Sequence, residues 1–133
     1  MKRRVAACFV AIENASDTIA GYYTLSACHV YLDGLDADWQ RKLPRYPTVP
    51  AVRLGRLAID LRFQGRKLGA ALLANAISRA VRSEIATYMM VVDAKDDRAA
   101  EFYRHHGFRS DPVQPLRLYA PLAQIMVALG LGK

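Results

Sequence analysis

Gln64, Gly65, Arg66, Lys67 and Gly69 stand together in the stretch RLAIDLRFQGRKLGAALLANAI, where an apolar run gives way to a helix-like one. A strand that turns tightly into a helix leaves unpaired backbone N–H groups at the helix start. Those donors and the helix dipole attract anions, phosphate above all. Gly65 and Gly69 carry no Cβ, so a ligand can come close to the backbone there. Arg66 and Lys67 add positive charge, with Asp60 and Arg62 just ahead of the turn. The spacing is neither G-x-x-x-x-G-K-[ST] nor G-x-G-x-x-G, so the usual triphosphate and dinucleotide grips do not apply. On spacing alone, a glycine-bearing turn with a solvated basic rim accounts for it equally well.

A second group lies downstream in DDRAAEFYRHHG. Tyr103 carries a phenol that is protonated at neutral pH and could donate a proton. Spacing alone also allows a core tyrosine on an amphipathic helix. His29, His105 and His106 are the candidates for a base. His105 and His106 are adjacent on a helix, so they are expected to point apart, with surface or capping roles. No Cys/His set has zinc spacing, and no Ser–His–Asp or Cys–His arrangement stands out. Cys8 and Cys28 sit among apolar or small residues and read as buried small hydrophobes; two cysteines make no disulfide framework, and a reduced cytoplasm is the default compartment.

These residues need elements to hold them. RVAACFVAIEN and IAGYYTLSACHVYL read as two strands joined through the turn residues NASD. Residues 33–50 hold Pro44, Pro47 and Pro50 and read as a long loop, with a short helical turn over 36–42. AVRLGRLAID reads as a strand whose apolar phase, Val52 and Leu54 then Leu57 and Ile59, slips at Gly55, which signals a β-bulge. From Arg66 to Arg82, Leu68, Leu72, Ala76, Ile77, Ala80 and Val81 recur at helical spacing. YMMVVDA reads as a strand buried on both faces. DDRAAEFYRHHG reads as a helix capped by Asp96 or Asp97, with Ala99, Phe102, Tyr103 and His106 on one side and Gly107 ending it. LRLYAPL is a last strand with Leu116, Leu118 and Ala120 in alternation, and AQIMVALGLGK a short terminal helix. The order β, β, loop, β, α, β, α, β predicts an α+β (α/β-like) domain with a mixed central sheet flanked by helices and a right-handed crossover between the strands near 57 and 90.

The chain has 133 residues, enough for a single domain over residues 1–133 with one real core. It is 53% hydrophobic and 23% charged, and no run of 18 residues is free of charge, so no membrane-spanning helix is expected. The start MKRRVAACFVAIEN makes a poor signal peptide, since Glu13 and Asn14 interrupt it and no small-residue cleavage site follows. The formal charge of +7 implies an acidic partner: nucleic acid, a phosphorylated cofactor or an acidic protein. Arg3, Arg4, Arg41, Lys42, Arg45, Arg79, Arg82 and Arg104 are spread along the chain and form a patch only through folding. Trp39 and Tyr46 in the long loop could stack on bases.

LGRLAID…FQGRKLGAALL together with VVDAKDDRAAEFYRHHGFRSD resembles the GNAT N-acetyltransferase superfamily. Its hallmark is Gln or Arg, two residues, Gly, one residue, then Gly or Ala, after a bulged strand. Gln64 and Gly69 match the ends, and Lys67 stands where the middle glycine belongs. The second hallmark is the helix AAEFYRHHGF. GYYTLSA, LPRYPTVPAVRLGRLAID and DAKDDRAAEFYRHHGF are similar to toxin acetyltransferases of toxin–antitoxin pairs, which act on aminoacyl-tRNA. The resemblance implies a GNAT fold and acetyl-CoA as co-substrate, without metal. Leu57, Ala58 and Ile59 would bind the pantetheine arm, and Gln64, Gly65, Arg66, Lys67, Leu68, Gly69 and Ala70 the pyrophosphate. Tyr103 would be the general acid in direct attack by an amine. It implies an aminoacyl-tRNA substrate, a ribbon-helix-helix antitoxin and a homodimer as partners, no membrane, and a cytoplasmic place of action. Such chains begin with a further strand and two helices ahead of the segment matching Arg3 to Ile12, which this sequence lacks, as a truncated homologue or one started at a misplaced methionine would. A small-molecule or protein amine as acceptor, and a catalytically silent module binding acetyl-CoA or an antitoxin, are the alternatives.

Overall fold

The computed structural model describes residues 6–31, 37–42 and 47–128. Strand β1 (Ala7–Glu13) turns through Asn14–Asp17 into β2 (Thr18–Tyr31), forming the expected hairpin. A short helix, α1 (Ala37–Lys42), precedes β3 (Thr48–Ile59). A 3₁₀ turn (Leu61–Phe63) leads to helix α2 (Leu68–Arg82), and β4 (Met89–Asp93) follows. Helix α3 (Asp97–His105), the two-residue β5 (Arg109–Ser110), β6 (Arg117–Pro121) and α4 (Leu122–Ala128) complete the described chain.

The strands form a six-stranded mixed sheet in the order β1-β2-β3-β4-β6-β5. Only β3 and β4 run parallel, and the intervening α2 makes their crossover. Their pairing covers Ala51↔Met89 to Leu54↔Val92 and stops there, while β3 runs on to Ile59. Between Thr24 and Leu25 the β2–β3 register shifts, leaving Gly55 as the extra residue. This is the bulge that the apolar phase slip announced. It returns Leu57 and Ile59 to the face that already carries Val52 and Leu54. A Cβ on Gly55 would lie 2.6 Å from the Thr24 hydroxyl oxygen, so the bulge leaves no room for a side chain.

One core lies between the sheet and α2, α3 and α4. Leu72, Leu73, Ala76, Ile77 and Ala80 of α2 meet Ala100 and Tyr103 of α3, Leu122 and Ile125 of α4, and Met90, Val92 and Leu118 of the sheet. The opposite face holds a smaller cluster of Val30, Val49, Ala51, Met89, Val91 and Tyr119. The structure corrects several expectations. Leu72, Ala76, Ile77 and Ala80 are buried as the spacing suggested, but Leu73 is fully buried beside them and Val81, at the end of α2, is exposed. In β6, Tyr119 is buried as well as Leu118 and Ala120, because both faces of that strand are covered; Leu116 precedes the strand. Cys8 is exposed, since it lies on the open face of the edge strand β1, and Cys28 is only half-buried. The strand β5 had no apolar pattern to reveal it.

Helix α3 begins as the sequence required: the Asp96 carboxylate accepts from the Ala99 amide at 2.8 Å. Its end is set by His106 at the cap and Gly107 at φ 101°, a left-handed conformation that suits glycine. Replacing Asp96 by alanine leaves that amide without its acceptor. Urea unfolding of D96A is expected to show a loss of about 1 kcal/mol.

Candidate active site

The parallel strands β3 and β4 part after Leu54 and Val92, and a cleft of about 590 Å³ opens where they part. Gly55, Arg56, Leu57, Ala58 and Ile59 form one wall, and Val92, Asp93, Ala94, Lys95, Ala99 and Tyr103 the other. The β4-facing edge of β3 has lost its partner there, so its backbone groups are available to an extended ligand, in the manner of an added strand. Leu57, Ala58 and Ile59 therefore line the cleft where the sequence reading put them. Tyr103 is 6% exposed and lies edge-on to Phe102 and Phe108. Its phenol lines the cleft, and none of the described residues hydrogen-bonds to it. Burial pushes its pKa up to about 12, so it is fully protonated at neutral pH.

A second cavity, about 450 Å³, continues from the first, sharing Ile59 and Gln64. Its walls are Phe63, Gly65, Lys67, Leu68, Gly69 and Ala70 on one side and Phe102, His105 and His106 on the other. The loop that builds it is held from below. Asp60 donates its amide to the Ala20 carbonyl, and its carboxylate accepts from the Arg62 amide at 2.9 Å and the Arg62 Nε at 3.0 Å. Those hydrogen bonds from Arg62 hold the Asp60 carboxyl below its usual range. Phe63 is buried and anchors the turn. Gln64 donates its side-chain amide to the Ile59 carbonyl at 3.4 Å, tying loop to strand.

Among the described residues, no backbone carbonyl accepts from the N–H groups of Gly65 to Ala70, while the Ala71 amide bonds the Lys67 carbonyl. A run of free amides thus caps α2, and Gly65 and Lys67 to Ala70 of that run line the cavity. Gly65 has φ 83° and Lys67 has φ 60°, both left-handed. Glycine takes this conformation freely, but for lysine it costs about 1–2 kcal/mol. Lys67 occupies the N-cap position of α2 without a side-chain cap. A Cβ on Gly69 would sit 3.7 Å from the Phe102 ring, so the start of α2 lies directly against α3. The arrangement of free amides, a cationic side chain and a helix N-terminus can bind a phosphorylated ligand.

Not every residue anticipated at the loop faces the cavity. The Arg66 guanidinium lies 5.3 Å from the Phe63 ring centroid and 3.8 Å from the Glu13 carboxylate, and Arg66 is not part of the cavity lining. His105 and His106 line the cavity, and their rings touch edge to face at 5.2 Å instead of pointing apart. Of the anticipated basic patch, Arg41 pairs with Asp38 and Arg104 with Glu101. Arg79 and Arg82 lie at the C-terminal end of α2, about 20 Å from the loop at the helical rise. Arg3, Arg4, Arg45 and Tyr46 lie outside the described residues, as do the side chains of Trp39 and Lys42. The sequence reading missed Tyr22, Arg56, Lys95 and Asp93 at the cleft. Arg56 and Lys95 follow the bulge and the end of β4, positions that acquire meaning only when the strands part. Asp93 is held by Arg117 (Nε–Oδ1 2.7 Å) and by Arg53. The hydrogen bond from Arg117, opposed by partial burial, keeps its carboxyl below the usual range, so it stays ionised and makes a poor base.

A family model for the acetyltransferase (GNAT) domain matches residues 4–110. The chain belongs to the GNAT acetyltransferases. It is an N-acetyltransferase of that family, with the GNAT fold. The tRNA-acetylating toxin of Mycobacterium tuberculosis is 33% identical over 125 residues, covering 92% of this chain and 73% of the relative. The structure of AtaT complexed with acetyl-methionyl-tRNAfMet aligns with a TM-score of 0.80 at 28% identity, over 92% of this chain and 75% of that one. A tyrosine-to-phenylalanine mutant of the AtaT toxin, bound to the C-terminus of the antitoxin AtaR and acetyl-CoA, aligns with a TM-score of 0.71 at 25% identity, over 92% and 72%. This GNAT chain thus spans about three-quarters of the relatives it matches. Among its described residues no helix is long and apolar enough to cross a membrane.

Proposed function

We propose that this GNAT chain transfers the acetyl group of acetyl-CoA to the α-amine of aminoacyl-tRNA, in the cytoplasm, as the toxin of a toxin–antitoxin pair. Residues 1–133 act as one acetyltransferase domain. The observation that carries the reading is the continuity of two cavities, a cradle of free amides at Gly65 to Ala70 and a cleft with a buried phenol at its wall. The pyrophosphate of the donor rests on the amides, beside Gln64 and Lys67. The pantetheine arm runs along Leu57, Ala58 and Ile59 as an added strand. This places the thioester beside Tyr103. Arg66 contributes its backbone amide and not its side chain.

The acceptor amine attacks the thioester carbonyl and a C–N bond forms. A backbone N–H of the bulged strand polarises the carbonyl oxygen. The C–S bond then breaks, and the departing sulfur takes its proton from the Tyr103 hydroxyl. The proton shed by the attacking nitrogen restores the phenol through solvent. An α-amine has a pKa near 8, so a fair fraction is neutral without a protein base. Asp93, held ionised by its arginines, is not needed as one. Tyr22, Arg56 and Lys95 at the cleft offer an aromatic face and two cations, which suits a nucleic-acid end more than an uncharged small amine.

Two structures of one relative support the choice of acceptor and partner: AtaT was captured with acetyl-methionyl-tRNAfMet, and its mutant with the C-terminus of AtaR. The assay is thiol release from acetyl-CoA with charged tRNA, followed by mass spectrometry of the nucleoside-linked amino acid. Acetylated α-amine is the expected product. Turnover of a small amine alone would redirect the acceptor, and no thiol release with any amine would leave a binding module. Contacts to phosphates release counterions. The kcat/KM for aminoacyl-tRNA is therefore expected to fall about tenfold or more between about 50 and 200 mM salt. A salt-independent kcat/KM would remove RNA from the proposal.

A further inference from the structure

The cavity beside the amide cradle has a second wall that the transfer chemistry does not use. Phe102 lies against Gly69, the His106 ring centroid is 4.7 Å from that of Phe102, and His105 is 5.2 Å beyond. Three rings, Phe102, His106 and His105, thus touch in succession at the end of α3 and its cap, in the wall opposite the cradle. His106 is half-buried, and its Nδ1 stands 2.9 Å from the Phe102 carbonyl oxygen. A carbonyl only accepts, so Nδ1 donates, and Nε2 takes no part in that hydrogen bond. The ring is therefore fixed in place, as a ligand-binding imidazole must be.

A donor seated with its diphosphate on the cradle continues, at its nucleotide end, with a ribose that bears a 3′-phosphate. We propose that His105 and His106 bind this 3′-phosphate in their protonated forms, making the site selective for 3′-phosphorylated coenzyme. The inference rests on the reading of the cradle as the acetyl-CoA site. The charges around the pair favour an anion. Glu101, one turn before His105, is engaged by Arg104 at 3.0 Å, and Arg104 also donates to the Ser110 hydroxyl. Lys67 lines the facing wall, and Arg66 is turned to Glu13. Among the described residues no carboxylate lines the cavity. The sequence YRHHGF held this pair in view without its use.

The experiment is calorimetric titration of the protein with coenzyme A and with dephospho-coenzyme A at about pH 6.5 and about pH 8. A phosphate monoester is already mostly doubly ionised over that interval, with its second pKa about 6. The change with pH then reports on the histidines. If the phosphate raises one imidazole pKa by about a unit, coenzyme A gains about fivefold in affinity at the lower pH and less than about twofold at the higher. Dephospho-coenzyme A is expected to show no such change. His105→Gln and His106→Gln together are expected to abolish the difference. A preference that is flat with pH, or that survives in the double variant, overturns the inference and leaves the cradle standing. Failure of both coenzymes to bind overturns the cradle and the inference together. Should the double variant not fold, the wild-type pH profile decides alone.

Discussion

Tyr103→Phe is expected to lower kcat by about 100-fold or more while leaving the Kd for acetyl-CoA within about twofold. The phenol lines the cleft with no described hydrogen-bond partner, so its removal breaks nothing else in the core. Phenylalanine keeps the ring that packs against Phe102 and Phe108. Equal kcat in the two proteins would take the proton donor away from Tyr103. The raised pKa shapes the pH profile as well. Burial pushes the phenol up to about 12, against about 8.5 for a thiol. Full transfer to a free thiolate is uphill, so the proton moves as the C–S bond breaks and not before. Because the useful form is the protonated one, alkali removes it only near its own pKa. The rate is expected to rise with pH through the amine pKa near 8 and to hold to about pH 10. A fall beginning near pH 9 would point to a different acid.

Lys67→Glu is expected to weaken acetyl-CoA binding by about 30-fold, with the fold intact. The substitution places a carboxylate, an anion like the proposed ligand, at the helix N-terminus and removes the ammonium. Lys67→Gly separates the two roles of this residue. Glycine takes φ 60° without strain, so urea unfolding should show a gain of about 1 kcal/mol. The same variant loses the ammonium and is expected to bind acetyl-CoA up to about tenfold more weakly. A glycine variant that is more stable and binds equally well would show that the lysine is tolerated there and not used. Calorimetric titration of the three proteins measures the binding, and urea unfolding the stability.

Most of the fold could be read from the chain because its elements carry strong local signals. The hairpin turn, the phase slip at Gly55, the Asp96 cap and the fully apolar β4 each rest on local residue chemistry. What escaped depended on neighbours distant in sequence. Tyr119 is buried because β6 sits between β4 and β5 with both faces covered. Cys8 is exposed because β1 is the sheet edge. Of the residues that motif spacing singled out, Leu57 to Ile59, Gln64 and Tyr103 line the cleft, and Gly65 and Lys67 to Ala70 line the second cavity. Arg56, Lys95 and Asp93 were not legible in the spacing, since only the parting of β3 and β4 brings them to one cleft. Nor was the pairing of the Arg66 side chain with Glu13, because spacing gives a residue's place in the turn but not the carboxylate that a distant strand brings to it.

The parallel seam between β3 and β4 is only four residue pairs long. The sheet is therefore two three-stranded plates, β1-β2-β3 and β4-β6-β5, joined along a short weld and bridged from one side by α2. A thioester arm lying in the gap would hydrogen-bond the lip of one plate while the phenol on α3, the helix that follows the first strand of the other, reached its sulfur. The donor would then act as mortar between the plates, and the same act that seats it would bring the reacting groups to their working separation.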